Sequence, residues 1–184
     1  MMGLSIMRKQ DIERQVTALL TQYGYSFDYD TSIDVVDFVR RLGFTVGNAD
    51  LPDNEDGFLA IKPGNSKNPP YSAPEKIIGV NADRNLALKR FIIAHEFAHW
   101  VLHYKDGEVL LHRESRKGKG SDENDADYFA AALLMPRKSF LRVYNDLKSN
   151  GLNDNVVRTQ LAATFKTPFE SASRRIDEIC SGEI

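Results

Sequence analysis

The segment from His95 to His99 limits what this chain can be more than any other feature, because it reads H-E-x-x-H inside an apolar stretch with helical character (86–103). On a helix, residues four apart lie on one face, about one turn from each other. His95 and His99 can therefore direct two imidazoles at one metal ion, and the Glu96 carboxylate beside them can take a proton from a metal-activated water. If both histidines were instead ordinary polar residues of the helix, their burial without a partner would be costly.

A third metal ligand has to come from another part of the chain. His103 lies eight residues beyond His95, about 12 Å along a straight helix, which is too far for both to reach one ion at about 2 Å. The longer pattern H-E-x-x-H-x-x-G-x-x-H also fails, since Leu102 stands at its glycine position and Lys105 at its third histidine position. We therefore expect His103 to be a hydrogen-bonded structural residue near the end of the helix.

The third ligand is expected to be a carboxylate on the next helix, because a single cysteine, Cys180, excludes a zinc site made of cysteines. Glu123 and Asp127 lie four residues apart on the helix predicted over 121–135, so they share one face. We assign Glu123 to the metal, and Asp127 to a hydrogen bond that orients a ligand histidine, His95. Zinc is the expected ion, although two histidines and a glutamate also accept manganese.

Composition and periodicity predict an α+β fold that is mostly helical. The chain has 184 residues, of which 42% are hydrophobic and 27% charged, which suits one domain with a small appendage. Apolar spacing predicts helices that end at Gly24, Gly43 and Gly151. Short strands are expected within 44–46, 58–62 and 76–81. We expect these strands to form a small sheet packed on the H-E-x-x-H helix.

Two further segments carry predictions about organisation. The run 112–120 is basic and contains glycine, so it is predicted to be an exposed loop that is either simply solvated or in contact with substrate or an anion. Residues 1–150 are expected to form the main domain and residues 151–184 a C-terminal extension. Two short apolar helices in that extension resemble a helix-turn-helix. Arg174 and Arg175 are its candidate contacts to DNA or a partner, with packing on the rest of the chain as the favoured alternative.

The charge balance excludes a general attraction to nucleic acid. There are 24 basic and 26 acidic residues, for a net charge of -2, which counts against direct DNA binding through the C-terminal helices. The N-terminus lacks the apolar run of a signal peptide, and no stretch reaches the length of a membrane span. We therefore expect a cytoplasmic protein without a membrane partner.

Two sequence blocks resemble the ImmA/IrrE family of metallopeptidases. One is FIIAHEFAHWVLH at 91–103, and the other is ENDADYFAAALLMP at 123–136. The second block matches the family pattern of Glu, two residues, Ala, Asn or Asp, one residue, Phe-Ala-Ala and then Leu-Leu-Met-Pro. Asp127 is one departure, since many relatives have Asn there. The resemblance covers roughly residues 8–150, more weakly outside the two blocks.

The resemblance implies a zincin-like fold with His95, His99 and Glu123 as metal ligands and Glu96 as general base. It also implies a regulatory endopeptidase that cleaves a partner repressor with a helix-turn-helix, often in prophage, other mobile-element, stress-response or toxin–antitoxin-like gene pairs. We therefore expect a helix-turn-helix repressor or an antitoxin-like protein as substrate. The alternative is a catalytically silent or metal-free binding module that sequesters a regulator.

A donor for the oxyanion of the reaction is also expected near the metal. Tyr104, His112 and Tyr128 are candidates, but no motif selects one of them. For each one taken singly, a packing or surface role is the favoured alternative.

Overall fold

The computed structural model describes residues 6–62, 64, 72–105, 110–115 and 120–181. These residues form a mostly helical α+β structure, as predicted, with seven helices and one four-stranded sheet. The helices are α1 (Ile6–Tyr23), α2 (Val35–Arg41), α3 (Leu86–His103), α4 (Ser121–Leu134), α5 (Arg137–Ser149), α6 (Asp154–Phe165) and α7 (Phe169–Cys180). The strands are β1 (Phe44–Ala49), β2 (Glu55–Lys62), β3 (Glu75–Asn81) and β4 (Leu110–Ser115).

The chain divides into two compact units. One unit is Val35–Ala126, which contains the sheet and α3, and the other combines Met1–Asp34 with Asp127–Ile184. The division therefore falls within α4. The chain passes from one unit to the other after Asp34 and after Ala126, and neither point coincides with the predicted boundary after residue 150. The separate domain 151–184 stays a prediction.

The sheet has the strand order β1-β3-β2-β4. β1 runs parallel to β3, while β2 is antiparallel to both β3 and β4. Leu59 and Ile61 of β2 are buried and their neighbours along the strand are more exposed, which is the alternation of a sheet with one covered face. α3 packs against β2 and β3, and α2 packs against α3 and β1.

A glycine allows β2 to approach α3 closely. A Cβ at Gly57 would lie 2.4 Å from Cγ2 of Ile92 and 2.9 Å from the carbonyl oxygen of Gly79. Both distances are too short for any side chain, so this crossing depends on the missing Cβ.

An aromatic cluster fixes the rotation of α3 about its axis. Phe97 is fully buried, and its ring centroid lies 5.4 Å from Phe38, 5.7 Å from Phe44 and 5.6 Å from Trp100. The Phe38 and Phe44 rings meet Phe97 edge to face, which is a favoured geometry for aromatic pairs. Because Phe97 lies between the two histidines in sequence, its packing sets the direction in which they point.

The helix ends agree with the sequence predictions, and one loop prediction is wrong. Gly24, Gly43 and Gly151 all have positive φ, between 75° and 90°, as expected of glycines that end helices.

The run 112–120 is not a loop throughout, because residues 112–115 belong to β4, where His112 lies opposite Leu59 of β2. Residues 116–119 of the same prediction lie outside the described part of the chain.

The second unit is held together by a buried arginine on α7. Arg175 is fully buried, and its Nη2 lies 2.7 Å from Oε1 of Glu13 on α1. Its Nε donates to the carbonyl oxygen of Met135 at 3.2 Å, and its guanidinium lies 5.6 Å from the ring centroid of Tyr128. Arg175 is therefore unavailable to DNA or a partner protein, which corrects its prediction as a contact residue. Arg174 beside it is 63% exposed.

The two C-terminal helices pack on each other, and α6 also packs on α5. Lys166 ends α6 in the left-handed conformation, with φ at 54°, and α7 begins at Phe169. The likeness of this pair to a helix-turn-helix stays a prediction.

None of the helices in the described part of the chain combines the length and the apolarity that a bilayer crossing requires.

Replacing Arg175 with alanine should lower the free energy of unfolding by about 3–5 kcal/mol, because the change leaves the Glu13 carboxylate without its ion pair. Urea denaturation followed by circular dichroism measures this loss. Arg174→Ala is the matched control and should change stability by about 0.5 kcal/mol or less. Equal losses in the two variants would contradict the structural role assigned to Arg175.

Candidate metal centre

The middle of α3 is buried although it carries three ionisable side chains. Asn85 caps the helix, with its side-chain oxygen accepting from the backbone N–H of Leu88 at 2.9 Å. All eight residues from Ile92 to His99 are buried. Among them, His95 is 1% exposed, Glu96 is 0% exposed and His99 is 4% exposed. Side chains of this kind need polar partners in such a position.

His95, His99 and Glu123 converge on one point. Nε2 of His95 lies 3.0 Å from Nε2 of His99 and 3.2 Å from Oε2 of Glu123, and Nε2 of His99 lies 3.5 Å from Oε1 of Glu123. Each of these separations is less than twice a zinc–ligand bond of about 2.0–2.2 Å. One ion can therefore contact all three side chains, and two imidazoles with one carboxylate are a donor set suited to zinc.

Glu123 supplies the negative charge of the cluster from the first turn of α4. Hydrogen bonds from His112, His95 and His99 hold the pKa of Glu123 well below its usual range. The carboxylate is therefore ionised at neutral pH, which is the form that binds a cation.

Glu96 has one carboxylate oxygen that is held and one that is not. Its Oε2 lies 3.1 Å from Nδ1 of His112. Its Oε1 is buried and has no hydrogen-bond partner among the described residues. A buried carboxylate oxygen without a partner is costly. A bound water would satisfy this oxygen, and the three converging donors of His95, His99 and Glu123 fit a divalent metal.

His112 belongs to the same site, although no motif points to it. Its Nε2 lies 3.0 Å from Oε1 of Glu123, and its ring stacks on His99 with centroids 3.8 Å apart. Burial lowers the pKa of His112, but hydrogen bonds to Glu123 and Glu96 and their charges outweigh that effect and raise the pKa to about 9. The site therefore brings together His95, His99, His103 and His112, which are all four histidines of the chain.

His103 supports His99 and stands apart from the group of possible ligands. The Nδ1 atoms of the two rings are 3.1 Å apart, so His103 is hydrogen-bonded near the end of α3, as predicted. If His99 binds a metal through Nε2, its Nδ1 carries the proton and donates, and Nδ1 of His103 accepts. The hydrogen bond then fixes both the tautomer and the ring orientation of His99.

The other predicted residues have separate positions. Asp127 is 7% exposed, and its Oδ2 lies 3.8 Å from Nη1 of Arg174; its hydrogen bond to His95 stays a prediction. Tyr128 donates to Oε1 of Glu13 at 3.0 Å. Tyr104 caps the C-terminus of α3 through its backbone N–H. Of the three candidates for the oxyanion donor, His112 is the one whose contacts with Glu96 and Glu123 place it in the cluster.

Two histidines and a glutamate on an H-E-x-x-H helix, with a second glutamate from the next helix, form the arrangement typical of metallopeptidases. Residues 50–177 match the profile of the Peptidase_M78 family, described as the IrrE N-terminal-like domain. The chain belongs to this family, which confirms the resemblance to ImmA/IrrE proteins.

The fold is shared with a solved structure, a Mycobacterium tuberculosis transcriptional regulator. The two are 20% identical with a TM-score of 0.56, over 91% of this chain and 46% of the other. The chain thus spans less than half the length of that protein, and at this identity the likeness shows the fold alone. No curated protein matches the chain significantly.

Purified protein should contain about one equivalent of zinc or a similar ion per chain, since the three ligand atoms form one site. His99→Ala and Glu123→Ala should each lose it, because each removes one of three ligands. His103→Gln is the control and should keep the metal at saturation, with affinity lowered about 10–100-fold through the loss of support for His99. Elemental analysis and chelator competition measure both quantities. Full metal content in Glu123→Ala would contradict the assignment of the third ligand.

Proposed function

We propose that the protein is a metal-dependent endopeptidase with His95, His99 and Glu123 as ligands of zinc, or of manganese. Glu96 is its general base. The observation that carries the proposal is the convergence of three ligand atoms that one ion can contact, next to the buried Glu96, which shares His112 with Glu123 and has one oxygen without a partner. Membership of a peptidase family supports the same reaction. We further propose that the unit with α3 and the sheet is zincin-like.

The chemistry that a bound divalent ion would supply here is acidification of a water and polarisation of the scissile carbonyl. The protein's own contribution centres on Glu96. Its Oε1 accepts the proton of the attacking water, and the same carboxyl then delivers that proton to the leaving amine. The carboxylate is excluded from solvent, so the proton stays within the site during the step.

We propose a partner transcriptional regulator as the substrate, a repressor with a helix-turn-helix or an antitoxin-like protein. The support is the family and the shared fold with a protein that is itself a transcriptional regulator. A cytoplasmic location is proposed with it. Direct DNA binding through α7 is disfavoured, because Glu170, Asp177 and Glu178 outnumber Arg174, the arginine of this helix that is exposed.

Glu96→Gln should keep the metal and lower the cleavage rate about 10²–10⁴-fold, because glutamine fills the same space but cannot take the proton. A suitable probe is a library of tryptic peptides from a bacterial lysate, with new N-termini identified by mass spectrometry. The regulator encoded beside the gene is the second substrate to test. Glu75→Gln on the sheet, whose side chain is 66% exposed, is the matched control and should cleave at the wild-type rate.

Cleavage that persists in metal-loaded Glu96→Gln would contradict the mechanism. If the variant cleaves nothing but retains full biological activity, the binding module that sequesters a regulator is the better explanation. The two outcomes are separable because one is measured on peptides and the other in cells.

The role of Asp127 is testable by the same metal assay. If its carboxylate accepts a hydrogen bond from His95, Asp127→Ala should weaken metal binding about 10–100-fold. Asp127→Asn keeps an accepting oxygen and should lose less. Asp122→Ala, at an exposed position of the same helix, should leave the affinity unchanged. Equal affinity of Asp127→Ala and wild type would remove Asp127 from the site.

A further inference from the structure

His112 occupies a place in the site that metal binding does not explain. The group of described residues able to share one ion is His95, His99 and Glu123, without His112. The two ring nitrogens of His112 face two carboxylates instead, with Nδ1 3.1 Å from Oε2 of Glu96 and Nε2 3.0 Å from Oε1 of Glu123. An ionised carboxylate only accepts hydrogen bonds, and a neutral imidazole with its proton on Nδ1 is enough to donate one to Glu96.

We propose that His112 is a positioning residue that holds the Glu96 carboxylate through its Nδ1–H. Oε2 of Glu96 is then occupied, and Oε1 alone is left to accept the proton of the attacking water. The inference rests on the proposed function, because it assigns His112 to the support of the general base.

Glu96 needs such support because its own side chain does not fix the carboxylate. The terminal torsion of a glutamate is broad, so the two oxygens exchange places easily unless one is held. Within the described part of the chain, His112 is the hydrogen-bond partner of Glu96, and the second oxygen has none. A general base works only when its accepting oxygen is within hydrogen-bond reach of the proton.

His112 is itself held from two directions, which makes it a fixed donor. Its backbone lies in β4, opposite Leu59 of β2, so the strand pairing sets where the side chain begins. Its ring lies on the His99 ring at 3.8 Å between centroids and 32° between planes. Support for a reacting group is effective when the supporting side chain is locked by packing of this kind.

Two isosteric substitutions separate the two nitrogens of His112. An asparagine places its amide near the Nδ1 position, toward Glu96, and a glutamine extends its amide toward the Nε2 position, near Glu123. With one peptide that wild type cleaves, His112→Ala should lower kcat about 10–100-fold. KM should change little, and the metal content at saturating zinc should be kept, because His95, His99 and Glu123 are all retained. His112→Asn should recover most of the loss in kcat and His112→Gln should recover little.

A crystal structure of each zinc-loaded variant gives a readout that does not need activity. We expect one ordered Glu96 rotamer in wild type and in His112→Asn, and a displaced or divided carboxylate in His112→Ala. If wild type cleaves no peptide, the proposed function fails, while the position of Glu96 still tests the role of His112. An unchanged Glu96 in His112→Ala would overturn the proposal, as would loss of the metal or rescue by glutamine alone.

Discussion

The burial of three ionisable side chains at the centre of α3 is the constraint on which the rest of the structure depends. His95, Glu96 and His99 are at most 4% exposed, and each would be costly there without a polar partner. The surrounding elements provide those partners. α4 brings the Glu123 carboxylate and β4 brings the His112 imidazole. These partners offset the cost of burying an H-E-x-x-H segment in so apolar a helix. A divalent cation bound by the cluster would offset it further.

The orientation of this cluster is set by the opposite side of the same helix. Phe97 lies between the histidines in sequence and packs into a group of aromatic rings. Its burial holds the rotation of α3 from that side, while on the side of the site Gly57 allows the sheet to approach Ile92, one turn before Glu96. Imidazole nitrogens must be placed to within a few tenths of an ångström to share one ion. A well-packed apolar face supplies that accuracy better than the polar site could, because close-packed side chains resist displacement.

Local patterns predict the parts of this structure that depend on local interactions. The helix ends at Gly24, Gly43 and Gly151 follow from backbone conformations that glycine adopts readily. The helical period places Glu123 and Asp127 on one face of α4, and the resemblance to ImmA/IrrE proteins implies that Glu123 is the one that meets the histidines, as it does in the structure. β4 was missed because its hydrogen bonds go to β2, far earlier in the chain, and because its residues 112–115, after two leucines, are polar or basic like those of a loop. His112 was left among three equal candidates for the same reason, since its place depends on the register of that pairing.

The C-terminal helices are better explained as support for α4 than as a surface that reads DNA. Arg175 of α7 is buried against Glu13 and the carbonyl oxygen of Met135, the residue that follows α4. Arg174 lies 3.8 Å from Asp127, within α4 itself. A recognition helix has to present its cations to solvent, where phosphates can reach them. Of the two arginines of α7, Arg175 lies in the interior of its unit, and only Arg174 is exposed, beside the Asp127 carboxylate.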